Sequence, residues 1–257
     1  MLQHAEKIIQ RDCMARKGFR IWNTAENPLP ENREFPYVID DVAWARKHGY
    51  GSDMRRRVEE LRRSDPNTRY LRSLSPQRRA AAITALNGDA RLGTLEVRLP
   101  TGTVVGRSDS GCTAEAERAL YGDLKTWFRA KQITTSLSSM GRMRVLNDPR
   151  FTAHVRLLAG CMRQHGYRYD DLGQARAAFL DPRTPKERAK EIQSAVTEAN
   201  CANSTGLSRV ADQLDREHKE AISKQYHLAY ATRFRLQHNA VPRARSALKA
   251  QSEEIPQ

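Results

Sequence analysis

No stretch of this 257-residue sequence approaches the roughly 20 apolar residues that a bilayer-spanning helix requires. Met1 to Gln10 also lacks the apolar core of a signal peptide. There is no H-E-x-x-H, no G-x-S-x-G and no glycine-rich phosphate loop. No C-x-x-C pair offers the tight knuckle from which structural zinc draws its thiolates. The seven histidines, His4, His48, His154, His165, His218, His227 and His238, are dispersed. Acidic residues are in deficit, 30 against 44 Lys and Arg, and the formal charge is +14. These absences exclude a membrane span and the motif-borne hydrolases, metalloproteases and nucleotide enzymes. No catalytic residue, metal or cofactor is expected.

What is present is a stretch that occurs twice. Cys13-Met14-Ala15-Arg16-Lys17-Gly18-Phe19-Arg20 is echoed by Cys161-Met162-Arg163-Gln164-His165-Gly166-Tyr167-Arg168. Each copy reads as a helix end of the Schellman kind. The glycine takes the left-handed conformation, and the aromatic after it folds back on the methionine. Lys17 and His165 suit the negative end of the helix dipole. Trp44-Ala45-Arg46-Lys47-His48-Gly49-Tyr50 is a third, cysteine-free ending of the same pattern.

Along the chain, helices are expected over Gln3–Lys17, from an Asp40 or Asp41 cap to His48, and over Asp53–Arg63. Ile21–Tyr37 is a linker and Ser64–Thr68 a turn. Ser75-Pro76 starts a helix that stops at Asn87-Gly88. Leu95-Glu96-Val97-Arg98-Leu99 alternates with period two, and after Pro100-Thr101-Gly102 the chain returns through Val105 as a hairpin near residues 94 to 106. Two strands alone are marginal in water, so the hairpin must pack on helices. Thr113–Ala130 reads as one helix, and Ile133–Met143 as loop or helix. Asp148-Pro149 and Thr184-Pro185 start the helices that reach Cys161 and Cys201, with a short helix over Leu172–Phe179 between them. Leu207 to about Gln237 reads as one long amphipathic helix. The expected fold is mainly α, a disulfide-stapled helical domain or domains with one small β-hairpin. The organisation is an N-terminal half over 1–145, a C-terminal half over 146–240 and a fraying tail over 241–257.

The four cysteines allow three pairings. Nearest-neighbour pairing within each repeat gives Cys13–Cys112 and Cys161–Cys201; free thiols and zinc are the other fates. Disulfides imply an oxidising, extracytoplasmic setting. A Cys13–Cys161 bridge would instead clasp the two repeats together.

The ordered motifs resemble a known group. They run C-M-x-x-x-G-[FY], W-A-R-x-x-G-Y-G from Trp44 to Gly51, Ala85-Leu86-Asn87-Gly88, and a hairpin with L-P-x-G. Gly111-Cys112-x-x-Glu115-Ala116, Leu120-Tyr121-Gly122, Asp148-Pro149-Arg150, the second C-M-x-x-x-G-Y and a late single cysteine follow. Over about residues 1 to 215 the chain resembles a family of secreted or lipid-anchored proteins of unknown function in Streptomyces and related actinobacteria. The resemblance implies a cell-envelope or extracellular location and a signal sequence not contained in these residues. It carries over no catalytic residue.

The positive charge favours anionic partners, although scattered arginine is also the background of a GC-rich genome. The candidate binding residues are Arg55, Arg56, Arg57, Arg62 and Arg63, joined late in the chain by Lys219, Lys224, Arg233 and Arg235. Charge reversal at Arg55, Arg56 and Arg57 is expected to spare the fold. Asp40-Asp41 and Asp170-Asp171 are paired carboxylates that fit helix capping better than acid–base chemistry. The functional expectation is a non-enzymatic extracytoplasmic protein that binds another envelope protein or an anionic polymer through a basic helical surface. One alternative is a secreted enzyme acting on wall glycan or peptide with a site assembled from dispersed residues. Nucleic-acid binding fits the charge but neither the disulfides nor any recognised motif.

Overall fold

The computed structural model describes residues 1–25, 28–169 and 171–253. Among them are twelve helices and one two-stranded antiparallel hairpin. The chain divides into two compact units. The first comprises Met1–Glu26, Arg62–Ser138 and Ser223–Gln257; the second comprises Asn27–Leu61 and Ser139–Ile222. This grouping differs from halves divided at residue 145, because three of its boundaries, 61/62, 138/139 and 222/223, fall inside helices and the C-terminal segment belongs with the N-terminal one.

In the first unit, α1 (Leu2–Arg16) packs on α6 (Gly111–Tyr121) and α12 (His227–Glu253), and α5 (Pro76–Asn87) also lies against α6. Ala5, Leu120, Trp127, Leu236, Ala240 and Ala244 form the core of that contact. Residues 241–253 are therefore part of a packed helix rather than a frayed tail. Leu236, Ala240, Ala244 and Leu248 recur every four residues, and this stripe holds α12 helical through Pro242. Residues 254–257 lie outside the described residues. The hairpin strands are β1 (Thr94–Arg98) and β2 (Val104–Ser108), with Val97 opposite Val105. The inward face of the hairpin, Leu95 and Val97, buries against Ala114, Leu124 and Phe128, which supplies the helical support that two strands need.

Three further differences from expectation have local causes. Asp65-Pro66 caps α4 (Pro66–Ser73) where a turn was expected, and the Asp65 carboxylate accepts from Thr68 N. The helix expected over Thr113–Ala130 is two: it ends at Gly122, and Asp123 caps α7 (Leu124–Leu146) by accepting from Thr126 N. The long helix expected from Leu207 is α11 (Leu207–Gln225) followed by α12, interrupted at the single residue Tyr226.

The remaining helices are α2 (Val42–His48), α3 (Ser52–Ser64), α8 (Pro149–Gln164), α9 (Leu172–Ala177) and α10 (Pro185–Ser204). In the second unit, α10 packs against α2 and α8. Its start is a capping box in which Thr184 and Glu187 satisfy each other's backbone N–H.

Cys13 pairs with Cys112 and Cys161 with Cys201, with Cα separations of 5.6 and 5.8 Å. Each bridge lies within one unit. The two repeats end alike. Phe19 N donates to Met14 O at 2.9 Å and Gly18 N to Ala15 O at 2.9 Å; Tyr167 N donates to Met162 O at 3.0 Å and Gly166 N to Arg163 O at 3.0 Å. Both are Schellman endings. No helix of the described residues is long and apolar enough to cross a membrane.

Candidate functional site

The third glycine ending behaves differently from the other two. Gly49 N donates to Ala45 O, but the Tyr50 amide does not return to its own helix. It donates to Glu191 Oε1 at 2.9 Å. Glu191 lies fully buried on α10 and also accepts from Ser52 N at 3.2 Å, Ser52 Oγ at 2.6 Å and Arg188 Nη1 at 2.6 Å. One carboxylate thus closes α2, caps α3 and holds a guanidinium, which compensates its removal from water.

Two turns further along α10, Glu198 is 1% exposed. It accepts from the Tyr50 hydroxyl at 2.8 Å and from Ile39 N at 3.4 Å. Burial pushes its carboxyl above the ordinary range, and the charge of Arg176 pulls in the other direction. The cavity beside it, lined by Leu158, Met162, Leu172 and Ala175 among others, is about 10 Å³. That is room for one water at most. Both glutamates hold the W-A-R-x-x-G-Y-G segment in place.

The other carboxylate pairs cap helices. Asp41 accepts from Trp44 N and lies below the usual range because of that bond. Asp171 accepts from Gln174 N; Asp170 lies outside the described residues. Cys161, His165 and Cys201 crowd together, but the two sulfurs are bonded to each other, which leaves the imidazole as the sole ligand.

Beside Tyr50 a cleft of about 330 Å³ opens within the second unit. Four arginines line it: Arg33, Arg55, Arg142 and Arg176. Phe35, Trp44 and Tyr50 supply aromatic walls, with the Phe35 and Trp44 rings 4.8 Å apart. Arg33 pairs with Asp41 and lies over the Phe35 ring at 5.1 Å. Arg142 pairs with Glu34 at 3.9 Å, and that carboxylate is 88% exposed. Arg176 donates to Phe35 O at 3.4 Å, while its Nε is buried with no acceptor. Guanidinium forks set among aromatic rings suit carboxylate or phosphate oxygens.

Comparison with protein-family models, with curated protein sequences and with solved structures finds no match. The functional reading therefore stands on the geometry.

Of the nine cations singled out from the sequence, only Arg55 lines this cleft. Arg55 donates to the carbonyls of Tyr50, Phe179 and Leu180 at 2.8, 3.0 and 3.1 Å, and Arg56 to that of Pro182 at 3.1 Å. These two side chains anchor backbone, so the expectation that their reversal spares the fold is corrected. Arg57 pairs with Glu31 at 3.1 Å. Arg62 and Arg63 are exposed on the last turn of α3. Lys219 pairs with Asp215 on α11, and Lys224 sits on the last turn of that helix. Arg233 bonds Thr134 Oγ1 at 2.8 Å, and Arg235 is exposed on α12. The set is divided between the two units. Sequence reasoning missed Arg33, Arg142 and Arg176, three isolated arginines with no local density to mark them.

Proposed function

We propose that the chain is a non-enzymatic, extracytoplasmic binding protein that holds an anionic polymer, or an acidic segment of an envelope protein, in the arginine cleft of its second unit. The observation that carries this reading is the cleft itself. Four arginines line an aromatic-walled groove, and one of them, Arg176, has a buried Nε–H without an acceptor among the described residues. The net charge of +14 adds a long-range field that steers anions. Two disulfides are compatible with an oxidising compartment outside the cytoplasm. The resemblance to secreted or lipid-anchored actinobacterial proteins points the same way.

Binding of poly-L-glutamate and of polyphosphate, titrated from 0.1 to 1 M salt, tests the proposal. Shortening the Debye length from about 10 to about 3 Å must weaken it. Arg142→Glu is the informative variant, since the carboxylate paired with Arg142 is distant and exposed. Binding that persists unchanged at high salt and in Arg142→Glu would remove the cleft from consideration.

A further inference from the structure

A second cleft lies wholly within the first unit and has a volume of about 850 Å³. Three helices each present to it a pair of side chains one turn apart: Glu6 and Gln10 from α1, Trp127 and Lys131 from α7, Arg233 and Gln237 from α12. Its charges are of both signs. Lys131 Nζ bonds Glu117 Oε1 at 2.8 Å, but Glu117 is also paired with Arg107, so that carboxylate is shared by two cations. Arg233 is held by a neutral hydroxyl, Thr134 Oγ1. Glu6 accepts a long contact from the Tyr121 hydroxyl, at 3.4 Å.

Trp127 supplies the decisive detail. It is 2% exposed, its ring stacks on Tyr121 with centroids 3.5 Å apart, and its indole N–H is buried with no acceptor. A buried donor left without a partner is costly, and native structures contain few. Trp127 lines an open cleft next to Lys131, whose ammonium lies 5.8 Å from the ring centre. An incoming acceptor group would satisfy the indole N–H. The Glu6 carboxyl has the opposite need. Burial holds it above the ordinary range, Lys131 lowers it and Glu117 raises it again. A cation beside Glu6 would favour its ionised form.

We propose that this cleft binds a short zwitterionic peptide, its carboxylate against Lys131, Arg233 and the Trp127 N–H and its ammonium against Glu6. The volume lies in the upper part of the about 300–1,000 Å³ range of small-molecule sites, which suits two or three residues better than one amino acid. The proposal is independent of the arginine cleft, which is a different cavity in the other unit.

Isothermal titration with alanyl-alanine tests it, beside two blocked forms: N-acetyl-alanyl-alanine, which lacks the ammonium, and alanyl-alaninamide, which lacks the carboxylate. The expected result is binding of the free dipeptide, weakened about tenfold or more by either block and by Glu6→Gln or Arg233→Gln. The Trp127 indole proton resonance, assigned with Trp127→Phe, must shift on titration. Glu6→Gln removes a half-buried charge and keeps the side chain's size, so it remains decisive if Arg233→Gln fails to fold. Absence of dipeptide binding at millimolar concentration would overturn the proposal. So would N-acetyl-alanyl-alanine binding as tightly as the free dipeptide, or Glu6→Gln leaving affinity unchanged.

Discussion

The Tyr50 amide donates to Glu191 Oε1, 2.9 Å away and 141 residues later in the chain. The corresponding amides of Phe19 and Tyr167 return to the methionine carbonyl of their own helix. One sequence pattern therefore serves two purposes. It closes a helix locally when a cysteine–methionine pair precedes it, and it joins two helices when a buried glutamate faces it.

Glu191→Ala should be among the most destabilising single substitutions in the second unit. It removes the acceptor of the Ser52 hydroxyl and of two backbone amides, and takes from Arg188 its closest carboxylate. Breaking one side of a buried charge pair costs about 3–5 kcal/mol. Urea unfolding followed by far-UV circular dichroism measures the loss. A cost within the ±0.5 kcal/mol typical of surface changes would mean that the carboxylate does not hold α2 and α3.

Glycine replacement should distinguish the two kinds of ending. At Gly18, φ is +76° and an added Cβ would meet nothing within 4 Å, so Gly18→Ala costs only the left-handed backbone, about 1 kcal/mol. At Gly49 the same Cβ would lie 2.9 Å from Glu191 side-chain atoms. Gly49→Ala should therefore lower the thermal midpoint by clearly more than Gly18→Ala does. Equal midpoints would contradict the close approach.

Glu198 makes stability depend on pH. Its carboxyl is raised by burial, so the folded state holds the proton more tightly than the unfolded chain does. Its contribution is fully present below the ordinary glutamate range. It is lost as pH rises through the elevated folded value. Glu198→Gln should flatten that decline and raise relative stability at neutral pH, read from denaturation midpoints at a series of pH values. A variant that retains the full decline would assign it to other groups.

Replacing both cysteines of either bridge by alanine should cost about 4 kcal/mol for the 40-residue loop and nearly 5 for the 99-residue loop on the chain-entropy account. Peptide mapping without reduction should recover Cys13 with Cys112 and Cys161 with Cys201. A peptide joining Cys13 to Cys161 would overturn the pairing.

Arg55→Glu should destabilise the protein because three backbone carbonyls lose their donor, whereas Arg57→Glu should leave the melting temperature nearly unchanged. Thermal melts of the two variants decide between an anchoring and a surface role for these neighbouring residues.

The parts of the fold legible in the sequence were those written in adjacent residues. Ser75-Pro76, Asp148-Pro149 and Thr184-Pro185 each mark a helix start, and the alternation from Leu95 to Leu99 marks the hairpin. Asp65-Pro66 carries the same start signal, but inside a Ser-Asp-Pro-Asn run that equally spells a turn. Glu191 and Glu198 escaped because charged residues are ordinarily assigned to the solvent face. Yet they occupy the buried stripe of α10 with Ser194, Ala195, Ala199 and Ala202, at helical spacing. The two clefts escaped for a different reason. Arg33 and Arg176, or Glu6 and Arg233, meet only after folding, and nothing in the local pattern of any one segment announces its partner.

The packing of α1 against α12 also sets an order of assembly. The second unit needs only residues 27–61 and 139–222, whereas the first needs 223–257 as well. As the chain emerges from synthesis, the residues of the second unit are complete while α1 still lacks the helix that packs beside Ala5. Cys13 and Cys112 both precede α12 in the chain. Their bridge would then keep the two earlier segments of the first unit together until α12 docks.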